Sequence, residues 1–100
     1  MAGDRKLTKA EIIEIIYPEV DVGKKSIHKV LGLFFDAVKD GLLDEHTIEL
    51  RGFGTFEIRT RKGRKARNPK TGEAVEVEDH GVVTFRPGRE LKRRAWQLRR

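Results

Sequence analysis

The sequence contains no cysteine and few aromatic residues: of its 100 residues, five are phenylalanine, one is tyrosine and one is tryptophan. The absence of cysteine excludes disulfides and thiolate metal sites, and it favours a reducing compartment. No apolar run approaches membrane-spanning length, and the first residues mix both charge signs without leading into the apolar segment of a signal peptide. We therefore predict a single cytoplasmic domain over residues 1–100 with no membrane contact.

Acidic residues are scarce in two regions. Residues 59–67 hold six basic and no acidic side chains, and residues 86–100 hold seven basic side chains and one glutamate. The remainder has nine basic and fifteen acidic residues, although the whole chain has a net charge of +6. Such segregated positive charge favours a polyanionic partner, because phosphate neutralisation depends on local charge. From composition alone, a basic loop and tail that contact only solvent are an equally good interpretation.

The first predicted element is a helix with clear start and stop signals. Thr8 is its N-cap, Glu11 completes a capping box, and Pro18 ends the helix. We predict a buried apolar stripe formed by Ile12, Ile15 and Ile16, with Ile13 beside it.

A second helix is predicted from just after Val22–Gly23 to about Leu42. Its apolar residues share one face that spans roughly 140° of the helical wheel, more than one small helix covers. Without the charged arm and tail, only about 70 residues remain to bury this face, which is marginal for a core. We therefore predict a homodimer, or a heterodimer with a paralogue, interlocked around Phe34 and Phe35. The alternative is a monomer with a partly exposed apolar face.

From Thr47 the apolar residues alternate, which predicts strands. Ile48 and Leu50 share one face of the first strand. Gly52–Phe53–Gly54 then forms a tight turn into a long second strand, in which Phe56 and Ile58 face the core. A return strand is predicted from about Ala74. Pro87–Gly88 then introduces a short C-terminal helix whose inner face carries Leu91, Ala95 and Leu98. Trp96 adjoins this face, so we predict that it covers the core rather than stacking on a base.

Between the two long strands, about residues 59–80, the sequence predicts a β-ribbon arm without apolar support, which is marginal by itself in water. Its basic side chains can reach phosphates on both sides of a groove. Pro69 lies in the turn and presents a rigid apolar edge, so it is a candidate wedge between base pairs. An ordinary turn proline is the alternative. The basic residues of the predicted arm are Arg59, Arg61, Lys62, Arg64, Lys65, Arg67 and Lys70.

Three segments together resemble the bacterial HU and integration host factor family of histone-like proteins. They are Gly52–Phe56, Arg67–Glu73 and Phe85–Lys92, and the similarity covers nearly the whole chain. The resemblance implies an α+β fold: an intertwined dimer with a helical base of two N-terminal helices per chain, an antiparallel sheet extended into two arms that embrace the minor groove, and a short C-terminal helix. It places Arg67, Asn68 and Pro69 at the arm tip, and Arg86 and Arg89 at the last helix.

The segments Glu49–Gly52 and Arg86–Gly88 look closer to the β subunit of integration host factor than to HU. In that subunit, the positions that match Glu49 and Arg51 help to set site preference, so the resemblance implies some sequence selectivity. An outward-facing pair of charges on a strand is the alternative. Ala66 departs from the family pattern, which commonly has glycine before Arg-Asn-Pro, and the change stiffens the predicted arm.

The sequence thus predicts a nucleoid-associated architectural protein that binds double-stranded DNA and bends it by intercalation of Pro69. A site-selective bending factor and an RNA-binding protein remain alternatives. A nuclease built on His28, His46 or His80 is disfavoured, because the histidines lie on different elements without metal-ligand spacing. We predict no catalytic residue, cofactor, metal or small-molecule substrate. The predicted DNA contacts are the seven arm residues with Asn68, Arg86 and Arg89, and the predicted dimer core is Phe34, Phe35, Phe53 and Phe56.

Overall fold

The computed structural model describes residues 5–98, which form three α-helices and five strands. The chain forms two compact units, one up to residue 39 and one from residue 40. In chain order the elements are α1 (Lys9–Ile16), a 3-10 turn (Tyr17–Glu19), α2 (Lys24–Leu43), β1 (Ile48–Leu50), β2 (Gly54–Arg61), β3 (Arg64–Arg67), β4 (Ala74–Val77), β5 (His80–Pro87) and α3 (Arg89–Trp96). The predicted α+β class is confirmed.

The start and the end of α1 follow its sequence signals. Thr8 Oγ1 accepts a hydrogen bond from the backbone N–H of Glu11 at 3.3 Å, and Glu11 Oε1 accepts one from the backbone N–H of Thr8 at 3.2 Å. This capping box satisfies two N–H groups that have no partner within the helix. Pro18 lies in the 3-10 turn that follows Ile16, where its missing N–H costs least. Both predicted boundaries are confirmed.

The buried side of α1 differs from the predicted stripe. Ile13 is buried and Ile12 and Ile16 are half-buried, whereas Ile15 is 58% exposed. Successive helical residues lie about 100° apart around the axis. Ile12, Ile13 and Ile16 therefore share one arc of about 100°, and Ile15 lies outside it. The prediction that Ile15 belongs to the buried stripe is wrong for this chain.

The first turn of α2 is tied to the preceding residues by charge. Lys24 Nζ lies 2.8 Å from Glu14 Oε2 and 5.0 Å from the centre of the Tyr17 ring. The hydrogen bond to Glu14 and its negative charge raise the pKa of Lys24 above its usual value. These contacts lie within the first unit and connect α2 to α1.

An apolar face of α2 is open in the single chain. Phe34 and Phe35 are each 42% exposed, and their rings contact each other edge to face with centroids 5.6 Å apart. Val30 and Leu33 are exposed as well, while Ile27 is buried. The wide apolar face predicted from the sequence is therefore present, and its Phe34 and Phe35 are available to a partner.

The second unit contains an antiparallel sheet with the strand order β1-β2-β5. Phe56 on the central strand pairs with Ile48 on one side and with Phe85 on the other. The rings of Phe53, Phe56 and Phe85 form a cluster with centroids 4.7 to 6.3 Å apart. This cluster supplies the apolar support of the sheet.

Two glycines shape the turn before β2. Gly52 has a φ of +85°, in the left-handed region that favours glycine. The Phe53 N–H closes the turn by donating to the Leu50 carbonyl at 2.9 Å. A Cβ at Gly54 would lie 2.5 Å from the Phe85 ring, so glycine is needed where β2 passes the aromatic cluster.

The ribbon of β3 and β4 is a separate two-stranded sheet. Arg64 pairs with Val77 at one end and Arg67 with Ala74 at the other. The predicted long second strand and the return strand from about Ala74 are each divided in two, because β2 ends before residues 62–63 and β5 begins after residues 78–79. The arm therefore consists of two successive segments.

The C-terminal helix begins after Pro87–Gly88 as predicted, and Gly88 donates its N–H to the Phe53 carbonyl at 2.8 Å. Trp96 does not cover a core, because its side chain is 86% exposed. At about 100° per residue, Trp96 lies roughly 140° from Leu91 around the helix axis, and Leu98 lies beyond the end of the helix. The prediction was wrong because proximity to Ala95 in sequence does not place Trp96 on the same face.

Candidate nucleic-acid interface

The basic side chains predicted to contact DNA follow one line of backbone through β2 and β3. Arg59 and Arg61 occupy the end of β2, where they pair with Val82 and His80 of β5. The next three, Arg64, Lys65 and Arg67, lie on β3. Their side chains, with that of Lys62 between the strands, are exposed. The structure thus places these six basic residues on the outgoing side of the arm, whereas Lys70 lies in the tip turn, Arg86 on β5 and Arg89 on α3.

A backbone-to-carboxylate contact closes the break in the arm. The Gly63 N–H donates to Asp79 Oδ1 at 2.6 Å. A Cβ at Gly63 would overlap the backbone carbonyl of Val77. Glycine is therefore required for the outgoing strand to approach the return strand this closely. This role of Asp79 was not predicted from the sequence.

The tip of the arm is a hydrogen-bonded turn that presents Pro69. Asn68 donates its backbone N–H to the Glu73 carbonyl at 2.8 Å and accepts from Gly72 N–H at 2.7 Å. Its side-chain Oδ1 accepts from the Lys70 N–H at 2.8 Å. Gly72 has a φ of +75°, which closes the turn. Pro69, which has no N–H to satisfy, is exposed at its apex.

Arg67 is oriented by the same turn. Its Nη1 donates to the Gly72 carbonyl at 2.8 Å, so the guanidinium lies beside the turn and retains donors for other acceptors. Arg67, Asn68 and Pro69 therefore lie together at the arm tip, where the resemblance to the family places them.

At the base of the arm, Glu57 holds two of the predicted DNA-contacting arginines. Its side chain is 19% exposed, and its carboxylate lies 3.0 Å from Arg86 Nη2 and 3.4 Å from Arg59 Nε. Arg59 is two residues along the same strand face, and Arg86 is diagonal to Glu57 across the β2–β5 pair. This role of Glu57 was not predicted from the sequence, because it depends on the register of β2 against β5.

The return side of the arm is acidic, which the sequence analysis did not recognise. Lys65 on β3 lies directly opposite Glu76 on β4. The ribbon thus carries cations along its outgoing strand and carboxylates along its return strand. The acidic residues after the tip are Glu73, Glu76, Glu78 and Asp79.

Glu49 and Arg51, the two residues considered for site preference, lie at the edge of the sheet. Glu49 is exposed on β1 opposite Thr55. Arg51 is also exposed but lies in the turn after β1. The alternative of two outward-facing charges agrees with this exposure, although only Glu49 lies on the strand because β1 ends at Leu50.

A family model described as "Bacterial DNA-binding protein" matches residues 7–95. The chain belongs to this family. Its resemblance to HU and integration host factor, inferred from the sequence, is thereby confirmed, and the family consists of architectural DNA-binding proteins rather than enzymes.

Curated relatives support the assignment to the family. The chain is 45% identical to integration host factor subunit alpha of Hahella chejuensis over 86 residues, covering 86% of both chains. It is 43% identical to the alpha subunit of Pseudomonas fluorescens over 88 residues, covering 88% of both. These relatives carry the name of the alpha subunit, whereas the sequence analysis compared two segments with the β subunit.

Solved structures of family members have the same fold. The Anabaena HU in a co-crystal structure with DNA matches with a TM-score of 0.83 and 30% identity, covering 91% of this chain and 99% of that one. A mutant of transcription factor 1, solved in solution, matches with a TM-score of 0.60 and 30% identity, covering 91% and 92%.

The histidines of this family member do not assemble a metal site. Within residues 5–98, no group of three or more histidine, cysteine or acidic side chains could hold a metal ion. The ring of His80 contacts the Glu78 carbonyl through Nδ1 at 2.8 Å. Over the same described residues, no helix is both long and apolar enough to span a membrane.

Proposed function

We propose that this protein is a nucleoid-associated architectural factor that grips the minor groove of duplex DNA with β-ribbon arms and bends the duplex by inserting Pro69 between base pairs. The observation that carries the proposal is the arm tip, where an exposed proline stands on a hydrogen-bonded turn at the end of a basic strand.

The outgoing strand supplies the grip. The exposed cations from Arg59 to Arg67 follow each other along one line of backbone, so they can neutralise successive phosphates and release counterions. Arg86 on β5 and Arg89 on α3 add further positive charge outside the arm. Contacts of this kind position the protein without reading base sequence.

Pro69 supplies the kink. Its ring is rigid and apolar, and its lack of an N–H removes the cost of burying an unpaired donor between bases. Minor-groove architectural proteins insert apolar wedges of this type and bend DNA by roughly 20–90°. Asn68 and Gly72 hold the turn, so the wedge is in place before DNA arrives.

The exposed face of α2 supports a dimer as the working form. Residues such as Phe34 and Phe35 are too exposed for a finished core, since only Ile13, Ile27 and Leu42 count as buried hydrophobic residues in the described chain. A homodimer covers the two faces with each other and provides two arms. Phe53 and Phe56 complete the proposed dimer core.

A heterodimeric, site-selective factor is the second candidate. The relatives from Hahella and Pseudomonas are named as one subunit of an assembly, which favours pairing with a paralogue. Glu49 and Arg51 would then contribute selectivity from the sheet edge.

DNA bending tests the proposal directly. A short duplex with a fluorophore at each end is titrated with the wild-type protein and with the Pro69→Ala variant, and end-to-end energy transfer is read at saturation. We expect Pro69→Ala to lose most of the energy transfer between the DNA ends, because the duplex is no longer kinked. Its affinity for DNA should change little, because the phosphate contacts remain.

The matched control is Lys70→Ala, which removes a charge from the neighbouring turn position. It should weaken affinity slightly and leave the bend at saturation unchanged. An equal bend with Pro69→Ala and wild type would contradict the wedge role.

A further inference from the structure

A second basic surface lies on α3, apart from the arm in sequence. Arg89, Lys92, Arg93 and Trp96 line a shallow depression of about 330 Å³, with Gln97 at its edge. The indole is 86% exposed. We call this set of four residues and Gln97 the Trp96 surface.

The helical repeat explains why these side chains meet. At about 100° per residue, Trp96 lies only about 20° from Arg89, and the four lining residues Arg89, Lys92, Arg93 and Trp96 fall within roughly 100° of the helix circumference. Leu91 lies about 140° from Trp96 around the same helix. The Trp96 surface is thus a basic face of α3 around an exposed indole.

Its chemistry is that of a stacking platform for a nucleic-acid base. An exposed indole offers an aromatic plane to any base, and flanking cations pair with the phosphates on either side. None of the lining residues is acidic, so no carboxylate competes for Arg89, Lys92 or Arg93 in the depression.

The charge and shape favour an unpaired strand over other anionic partners. A duplex keeps the faces of its bases stacked and unavailable to an indole, whereas a single strand exposes them. A membrane-surface helix needs a broad apolar face next to its cations, and Trp96 is the only apolar residue among the five that line the depression.

We propose that the Trp96 surface binds single-stranded DNA, with one base stacked on Trp96 and the adjoining phosphates held by Arg89, Lys92 and Arg93. This site shares Arg89 with the proposed grip on duplex DNA, adds a ligand that the grip does not include, and does not depend on Pro69. The assignment to DNA rather than RNA follows the DNA-binding family of the chain.

The chain's single tryptophan makes stacking directly measurable. Full-length protein is titrated with a short oligothymidine while the emission of Trp96 is followed, and binding is measured in parallel by anisotropy of labelled oligonucleotide. We expect strong quenching at saturation. Trp96→Leu should weaken oligothymidine binding by about 5- to 100-fold, and Trp96→Phe should retain part of it.

Two neighbouring arginines provide the matched control. Arg93→Gln removes a charge from the Trp96 surface, and Arg94→Gln removes one from another side of the same helix. Only the first should weaken oligothymidine binding several-fold. Equal effects of the two substitutions, or unchanged binding by Trp96→Leu with a native circular dichroism spectrum, would overturn the proposal.

Three further measurements distinguish the classes of ligand. Bending of the end-labelled duplex by Trp96→Leu should match the wild type, so a failure of the arm mechanism is recognised independently. Oligouridine that quenches Trp96 while oligothymidine does not would overturn the assignment to DNA. Vesicles of phosphatidylcholine and phosphatidylglycerol that shift the Trp96 emission, with no response to oligothymidine, would overturn nucleic-acid binding altogether.

Discussion

The sheet and the ribbon of the second unit are built from the same antiparallel pairing but differ in what supports them. In the sheet, Phe56 pairs with Ile48 and Phe85, and three phenylalanine rings contact each other. In the ribbon, all four residues of β4 are exposed. Local contacts, such as Gly63 N–H to Asp79 and the turn around Asn68, hold it instead.

This difference separates stability from function along one continuous hairpin. Apolar burial stabilises the sheet, whereas a two-stranded ribbon without it is marginal in water. Substitutions in the sheet should therefore change the free energy of unfolding, and substitutions in the ribbon should change local order and DNA binding. Three predictions test this separation.

The largest effect is expected from Phe56→Ala. Loss of the central ring should lower the free energy of unfolding by about 3 kcal/mol, because the remaining rings lose contacts and a cavity forms. Urea denaturation measures the change. Val75→Ala in the ribbon also removes apolar atoms, but it should leave the midpoint of urea denaturation almost unchanged. Similar losses of unfolding free energy in both variants would contradict the difference between sheet and ribbon.

Gly63→Ala should disrupt the ribbon without unfolding the sheet. The added Cβ would overlap the Val77 carbonyl, so β3 and β4 must move apart. Hydrogen exchange of the ribbon amides should accelerate and DNA affinity should fall, while amides in β2 and β5 near Phe56 stay protected. Gly23→Ala is the control, because a Cβ there meets nothing within 4 Å. Unaltered ribbon exchange in Gly63→Ala would refute the requirement for glycine.

Asp79→Ala should give the smallest effect. The Gly63 N–H loses its acceptor, but solvent can replace it at this exposed site, so the local cost is about 1 kcal/mol. Exchange of the Gly63 amide should rise, with little change in global stability. Asp79→Asn keeps an oxygen acceptor and should restore most of the protection; if it behaves as Asp79→Ala does, the hydrogen bond is not the stabilising contact.

Much of the fold could be predicted from the sequence because its signals are local. The capping box of Thr8 and Glu11, the stop at Pro18 and the alternation of Ile48 and Leu50 each depend on a few neighbouring residues. The arm tip was predictable for the same reason, since Asn68-Pro69 and Gly72 are turn formers within five residues.

What the sequence analysis missed depends on pairing across the hairpin. Glu57 meets Arg86 through strand register, and Gly63 meets Asp79 sixteen residues later in the chain. No periodicity within one strand contains this information. The prediction for Trp96 failed for a different reason. Adjacent residues on a helix are rotated by about 100°, so Trp96 does not share the face of its neighbour Ala95.

The exposure of the ribbon also bears on how this protein can evolve. Most core positions tolerate few substitutions, since a marginally stable protein soon falls below its folding threshold. No residue of β4 belongs to the buried core in this chain, so substitutions there are largely exempt from that limit. Selection can therefore retune the charge along the return strand while the aromatic cluster of the sheet stays the same.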